Sequence, residues 1–75
     1  MSNEHLLEMA NDIGAYFVSD KNHARARDAV HQHFRRFWEP RMRQKLLAHF
    51  ALTGGAGLDP LVLEAVAELA KDAAS

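Results

Sequence analysis

Histidine is the side chain best suited to chemistry in this sequence, because it binds metal ions and transfers protons near neutral pH. The histidines are His5, His23, His31, His33 and His49. No two of them are four residues apart, which is the spacing of a helical zinc site. The sequence also shows no constellation of nucleophile, histidine and carboxylate. We therefore predict no catalytic, metal-binding or cofactor-binding residues in this chain, with a metal site assembled by the fold as a minor alternative.

The glycine-rich segment TGGAGLDP, residues 53–60, could suggest a phosphate-binding loop. Such a loop needs a lysine and a Ser or Thr at fixed offsets after a strand, and these are missing here. Gly54 or Gly55 instead suits the left-handed position that ends a helix. Asp59 followed by Pro60 is typical of a helix start. The segment is therefore predicted to separate two helices.

The segment RRFWEPRMR, residues 35–43, concentrates side chains that are typical of protein–protein interfaces. Trp, Phe, Met and Arg are enriched among the residues that dominate binding energy. A helix corner in so small a domain cannot bury both aromatic side chains and every arginine. We therefore predict a partner interface formed by Arg36, Phe37, Trp38, Pro40, Arg41, Met42 and Arg43. Of these, the three arginines, Trp38 and Pro40 either contact the partner or shape the corner that does.

Some apolar side chains near this corner have a second interpretation as core residues. Phe34, which precedes the corner by one helical turn, is predicted to be buried. For Trp38, packing over the corner and contact with a partner are equally supported. Phe37 and Met42 can likewise belong to the core or to the interface.

Two other functional classes use the same residues. Two helices joined by a short basic turn loosely fit a helix-turn-helix, so a small nucleic-acid-binding regulator is one alternative. A proline in the turn and a net charge of −1 count against it. The other alternative is a self-associating bundle, because an exposed apolar corner can pair with a second copy of itself.

Apolar residues recur at helical spacing in four parts of the chain, and no part has the alternation of a strand. The stripes are Leu6, Ala10, Ile13 and Phe17; Ala26, Val30, Phe34 and Phe37; Met42, Leu46, Leu47 and Phe50; and Leu61 or Val62, Ala65, Val66 and Leu69. We predict an all-α fold, a compact single domain over residues 1–75 with about four short helices.

Capping residues and prolines set the predicted helix boundaries. Asn22 is a suitable N-cap, and Pro40 ends one helix and begins the next because the residue before a proline is disfavoured in the α region. Gly14 lies inside the first helix, where it predicts the close approach of another helix. The predicted helices run from Ser2 or Asn3 to the turn at 19–22, from Asn22 to the corner at 38–40, from Pro40 to about Ala51, and from Pro60 to about Ala70, with a frayed tail at 71–75.

The charges are unevenly distributed along the chain. Residues 23–45 hold seven positive and two negative side chains, a net charge of +5, whereas the remainder carries two lysines against eight acids, a net charge of −6. Either the two parts neutralise each other within the fold, or the basic part meets an acidic partner. Both interpretations remain open at this point.

Cysteine usage and hydropathy narrow the class of protein. The chain has no cysteine, which excludes disulfides and thiolate zinc sites. No apolar run approaches the roughly 20 residues of a membrane-spanning helix. The acidic residues Glu4, Glu8 and Asp12 do not fit a signal peptide. We therefore expect a cytoplasmic protein.

Three segments are similar to a known family, the delta subunit of the soluble NAD-dependent formate dehydrogenases that contain molybdenum or tungsten. LLEMANDIGAYF, residues 6–17, resembles the opening helix of that family. HFRRFWEPRMRQKLLAHF, residues 33–50, resembles its most specific motif, in which Glu39 stands where Asp is commoner. GGAGLDPLVLEAV, residues 54–66, resembles its glycine-rich turn and last helix. The resemblance covers roughly residues 6–69 in all.

The resemblance implies a non-catalytic accessory subunit that supports the assembly, cofactor maturation or stability of an oxidoreductase complex. The implied partner is the catalytic alpha subunit, and neither nucleic acid nor membrane is implied. The family's complex uses a molybdopterin guanine dinucleotide cofactor, iron–sulfur clusters, FMN and NAD, all held by other subunits. A transient maturation factor, whose arginines contact the phosphates of the molybdenum cofactor, is a further alternative.

Overall fold

Four α-helices form the part of the chain that the structure describes, residues 2–74 of a computed structural model. They are α1 (Asn3–Phe17), α2 (His23–Phe37), α3 (Pro40–Thr53) and α4 (Pro60–Ala74). No strand occurs within these residues, so the predicted all-α fold is confirmed. None of the helices in this part of the chain has the length and apolar character needed to cross a membrane.

Local signals place the helix ends where the sequence predicts them. The Ser2 hydroxyl accepts a hydrogen bond from the His5 backbone N–H at 3.2 Å, which caps α1. The Asn22 side chain accepts one from the Arg25 backbone N–H at 3.0 Å, which caps α2. Gly54 ends α3 in the left-handed conformation, with φ of 73°.

The last helix is longer than predicted. It continues past the predicted end at Ala70 and reaches Ala74, while Ser75 lies outside the described residues. Alanine favours the helix, and the last turn is also held from the side. His31 Nε2 of α2 lies 2.6 Å from Asp72 Oδ2. The sequence pattern alone did not reveal this long-range contact.

The core lies mainly between α2 and α4, the two helices that pack most extensively on each other. Its side chains come from all four helices and from the corner after α2. The buried apolar residues are Leu6, Ala10, Ala26, Val30, Phe34, Trp38, Leu46, Leu61, Val62, Ala65, Val66 and Leu69. Most of the predicted apolar stripes therefore face this core, and the main exception is Phe37.

Gly14 lets α1 approach α4 closely. Gly14 is buried, and a Cβ atom built at this position would lie 2.4 Å from Cγ2 of Val62. Such a separation is far shorter than a carbon–carbon contact. The predicted role of Gly14 in helix packing is confirmed.

Ion pairs join the basic face of α2 to the acidic face of α4. His23 Nε2 lies 2.7 Å from Glu64 Oε2, and Arg27 Nη1 lies 3.9 Å from Glu64 Oε1. About two turns further along both helices, His31 Nε2 and Arg35 Nε lie 2.6 and 3.8 Å from Asp72 Oδ2. The partners advance together along the chain, so α2 and α4 run parallel. For Arg27 and Arg35, neutralisation by acids within the fold is confirmed.

Side-chain hydrogen bonds stabilise the two longer connections, which join α1 to α2 and α3 to α4. Asn11 of α1 donates to the Gly57 carbonyl and accepts from the Asp59 N–H, both at 2.9 Å, which fixes the glycine-rich turn. In the connection between α1 and α2, Asp20 accepts hydrogen bonds from the guanidinium of Arg25. These bonds are the main reason that the pKa of Asp20 is lowered. Both connections are therefore ordered by residues that the helical pattern did not single out.

Candidate interaction surface

The corner between α2 and α3 buries the tryptophan. Helix α2 ends at Phe37, and Trp38 adopts an extended conformation with φ of −81° and ψ of 135°. This change turns the indole back over Phe34, with 4.8 Å between ring centroids in an edge-to-face arrangement. Only 6% of Trp38 is exposed. The structure thus places this predicted interface residue in the core.

Arg43 closes the corner from the inside. Its Nη1 donates to the Trp38 carbonyl at 2.6 Å and to the Arg35 carbonyl at 3.1 Å, and it approaches the Phe34 carbonyl at 3.5 Å. The carbonyls at the end of a helix have no partner within the helix, and a cation is favourable there. Arg43, also predicted at the interface, therefore directs its guanidinium to its own backbone.

Pro40 and Met42 also contribute to the corner. Pro40 occupies the first turn of α3 and is exposed, and Met42 is half-buried against the core. Pro40 lines a surface groove of about 400 Å³ together with Arg35, Arg43 and Asp72. Both arginines of this groove already have partners, since Arg43 binds backbone carbonyls and Arg35 lies near Asp72.

The remaining predicted interface residues point outward. Phe37 is 71% exposed, although it follows the apolar stripe of α2. Arg36 and Arg41 are exposed on either side of the corner. Among residues 2–74, neither guanidinium has an ion-pair partner or a hydrogen bond. These three side chains form what we term the basic corner.

An exposed apolar groove lies beside Phe37, between α1 and α2. It has a volume of about 320 Å³ and is lined by Asp12, Ile13, Tyr16, Phe17 and His33. The His33 ring lies against that of Phe37, with 5.0 Å between centroids, and Tyr16 contacts Phe17 edge to face at 4.9 Å. We term the set Ile13, Tyr16, Phe17, His33 and Phe37 the aromatic face.

Sequence reasoning missed the α1 half of this surface. Tyr16 is 78% exposed and lies just outside the apolar stripe of its helix. Ile13 and Tyr16 are three residues apart, and His33 and Phe37 are four apart, so each pair shares one side of its helix. That spacing was a usable signal, but only the packing of α1 beside α2 joins the two pairs into one surface.

The histidines after His5 lie in separate parts of the structure. His23 and His31 bind acids of α4, His33 belongs to the aromatic face, and Nε2 of His49 lies 2.6 Å from the Ala56 carbonyl. Within residues 2–74, no group of three or more His, Asp or Glu side chains is arranged to hold a metal ion.

Comparison with protein families identifies the relationship. The family model for FdsD, the NADH-dependent formate dehydrogenase delta subunit, matches residues 5–66. No match was found among curated proteins or among solved structures. The matched region contains the opening helix, the corner with its basic and aromatic side chains, and the glycine-rich turn. Because this match covers well over half of the sequence, the chain belongs to the family of NADH-dependent formate dehydrogenase delta subunits.

Proposed function

We propose that this chain is a non-catalytic accessory subunit of an NAD-dependent formate dehydrogenase complex. It supports the assembly, cofactor maturation or stability of that complex by contacting the catalytic alpha subunit. The complex is cytoplasmic in this proposal, and its molybdopterin guanine dinucleotide, iron–sulfur clusters and FMN are held by other subunits. Membership in the delta subunit family supports this assignment.

The observation that carries the proposal is that some side chains of the corner are buried while their neighbours are exposed. Trp38 is buried beneath the corner, and Arg43 donates hydrogen bonds to its backbone carbonyls, so both side chains are used within the chain. Arg36 and Arg41 project from this corner with no ion-pair or hydrogen-bond partner among residues 2–74, and Phe37, which contacts the His33 ring, is 71% exposed. Exposed aromatic and arginine side chains held on a rigid element have the properties of interface hot spots.

The test is co-purification of the tagged chain with the other formate dehydrogenase subunits produced in the same cells. We expect a large complex that contains molybdenum or tungsten and iron and that reduces NAD with formate. Phe37→Ala should weaken capture of the alpha subunit by on the order of 2 kcal/mol, or roughly 30-fold. Replacing both Arg36 and Arg41 by Glu should weaken capture further at low salt than at high salt.

A matched control is Leu52→Ala, because Leu52 is 85% exposed on α3 but lies outside the basic corner. This variant should capture the alpha subunit like the unchanged chain. Recovery of a lone small protein without metal would count against a stable subunit. Capture that is equally unaffected by the Phe37 and Leu52 variants would show that docking uses another surface.

A further inference from the structure

The aromatic face exposes two large aromatic rings, Tyr16 and Phe37, to solvent. Tyr16 and Phe37 are 78% and 71% exposed, and the groove beside them is almost wholly apolar. An aromatic side chain can bury about 150–250 Å², so these two rings alone offer roughly 300 Å² per chain. Exposed apolar patches of this kind mark interaction sites.

The two banks of the groove carry opposite charges. On the α1 bank, Asp12 lines the groove and Glu8 lies one helical turn before it. On the α2 bank, Arg36 lies three residues after His33 and so shares the same side of the helix. Within residues 2–74, none of these three charged side chains has an ion-pair partner.

We propose that the aromatic face is an isologous dimer interface, on which the free chain pairs with a second copy of itself. A two-fold axis across the groove lays α1 of one protomer on α2 of the other. The acidic bank of each protomer then meets the basic bank of the other, and the aromatic side chains cover each other. Self-complementarity of this kind is what an isologous interface requires.

The two exposed aromatic side chains supply about half of the area that a specific dimer interface needs. Burial of Tyr16 and Phe37 from both protomers removes about 600 Å² from water, and flanking residues must supply the rest of the roughly 1,200 Å² of a specific interface. Phe37 also belongs to the basic corner. Where the proposed function holds, the dimer therefore covers part of the docking surface until the alpha subunit displaces the second copy.

The test is sedimentation velocity on the isolated chain over a range of concentrations at low salt. We expect the mass to rise towards twice the 8.4 kDa of one chain as concentration increases. Tyr16→Asp and Phe37→Asp should each leave a monomer, whereas Leu52→Asp, placed on another exposed surface, should dimerise normally. Far-UV circular dichroism checks that each variant keeps its helices, as its exposure predicts.

A charge swap tests the orientation of the two protomers. Asp12→Lys should weaken the dimer at least tenfold, because each protomer then sets a lysine against Arg36 of the other. The double variant Asp12→Lys with Arg36→Glu should restore it. This experiment uses the chain alone, so its result is independent of capture by the alpha subunit.

Three outcomes would overturn the proposal. A chain that stays monomeric at every concentration has no such interface. A dimer that is lost in Leu52→Asp but kept in Phe37→Asp uses a different face. If the unchanged chain is a monomer and its Phe37→Asp variant does not capture the alpha subunit, the aromatic face serves docking alone.

Discussion

At the scale of single residues, the corner shows how one backbone rotation separates neighbouring aromatic side chains. Phe37 is the last residue of α2 and remains exposed, whereas Trp38 leaves the helical conformation and covers Phe34. Arg43 then binds the carbonyls that the helix end leaves without partners. Two side chains of interface type, Trp38 and Arg43, therefore stabilise the corner from the inside, while Phe37 remains exposed.

Trp38→Ala is expected to destabilise the isolated chain strongly. Removing a buried aromatic side chain costs about 3–5 kcal/mol, which is a large share of the 5–15 kcal/mol that holds a small domain together. Phe37→Ala, a change of the neighbouring exposed ring, should stay within about 0.5 kcal/mol. Urea unfolding followed by circular dichroism measures both values. Equal losses for the two variants would contradict the assignment of Trp38 to the core.

At the scale of the elements, backbone approach and long-range hydrogen bonds fix how the helices meet. Gly14 of α1 gives space to Val62 of α4, and Asn11 on the same helix binds both sides of the glycine-rich turn before α4. One face of α1 therefore determines where α4 begins and how closely it packs.

Gly14→Ala is expected to destabilise the protein, against the preference of alanine for helices. Alanine gains up to about 1 kcal/mol over glycine in a helix, but overpacking a core costs about 1–3 kcal/mol. The new methyl group would lie within 2.4 Å of Val62 Cγ2, so overpacking should dominate. Thermal unfolding of the single variant measures the net effect.

The matched test uses a smaller residue at the other side of the contact. In a Val62→Ala background, the same Gly14→Ala substitution should cost less or become stabilising, because the clashing methyl group is gone. A Gly14→Ala variant that is more stable than the unchanged chain in the Val62 background would show that α1 and α4 are not in close contact.

At the scale of the whole molecule, some charged side chains form ion pairs between α2 and α4, and others are exposed on the surface. The α2 side chains His23, Arg27, His31 and Arg35 recur every four residues and face two acids of α4, Glu64 and Asp72, which lie eight residues apart. The basic corner and the acidic residues Glu8 and Asp12 of α1 are exposed on the surface. The molecule is nearly neutral overall, at −1, yet its free charges are segregated.

Glu64→Lys is expected to destabilise the fold by roughly 1 kcal/mol at low salt, because the new cation would face Arg27 and His23 across partly exposed contacts. The effect should shrink as salt screens the repulsion. Glu8→Lys makes the same change in net charge on α1, where Glu8 has no ion-pair partner among residues 2–74, and should change stability little. Chemical denaturation at two salt concentrations compares them. Equal shifts would indicate that net charge, rather than the α2–α4 pairs, is responsible.

Much of the candidate site could be predicted from sequence, because arginines and an aromatic ring at a helix corner favour exposure. The basic corner agrees with that expectation for Arg36, Phe37 and Arg41. The pattern left Trp38 open between core and interface, and left Arg43 open between docking and shaping the corner. Their orientations follow from the extended conformation at residue 38 and from carbonyls that only the completed corner brings together.

The sequence by itself determined the helix count and most helix ends, because caps at Ser2 and Asn22, Pro40 and Gly54 act through bonds to residues a few positions away. The tertiary structure alone decided which aromatic ring is buried, that α2 and α4 run parallel, and that α1 and α2 share an aromatic face. These features depend on contacts between residues far apart in the chain. Local spacing sets the direction of a side chain on its own helix, but it does not specify which other helix that side chain meets.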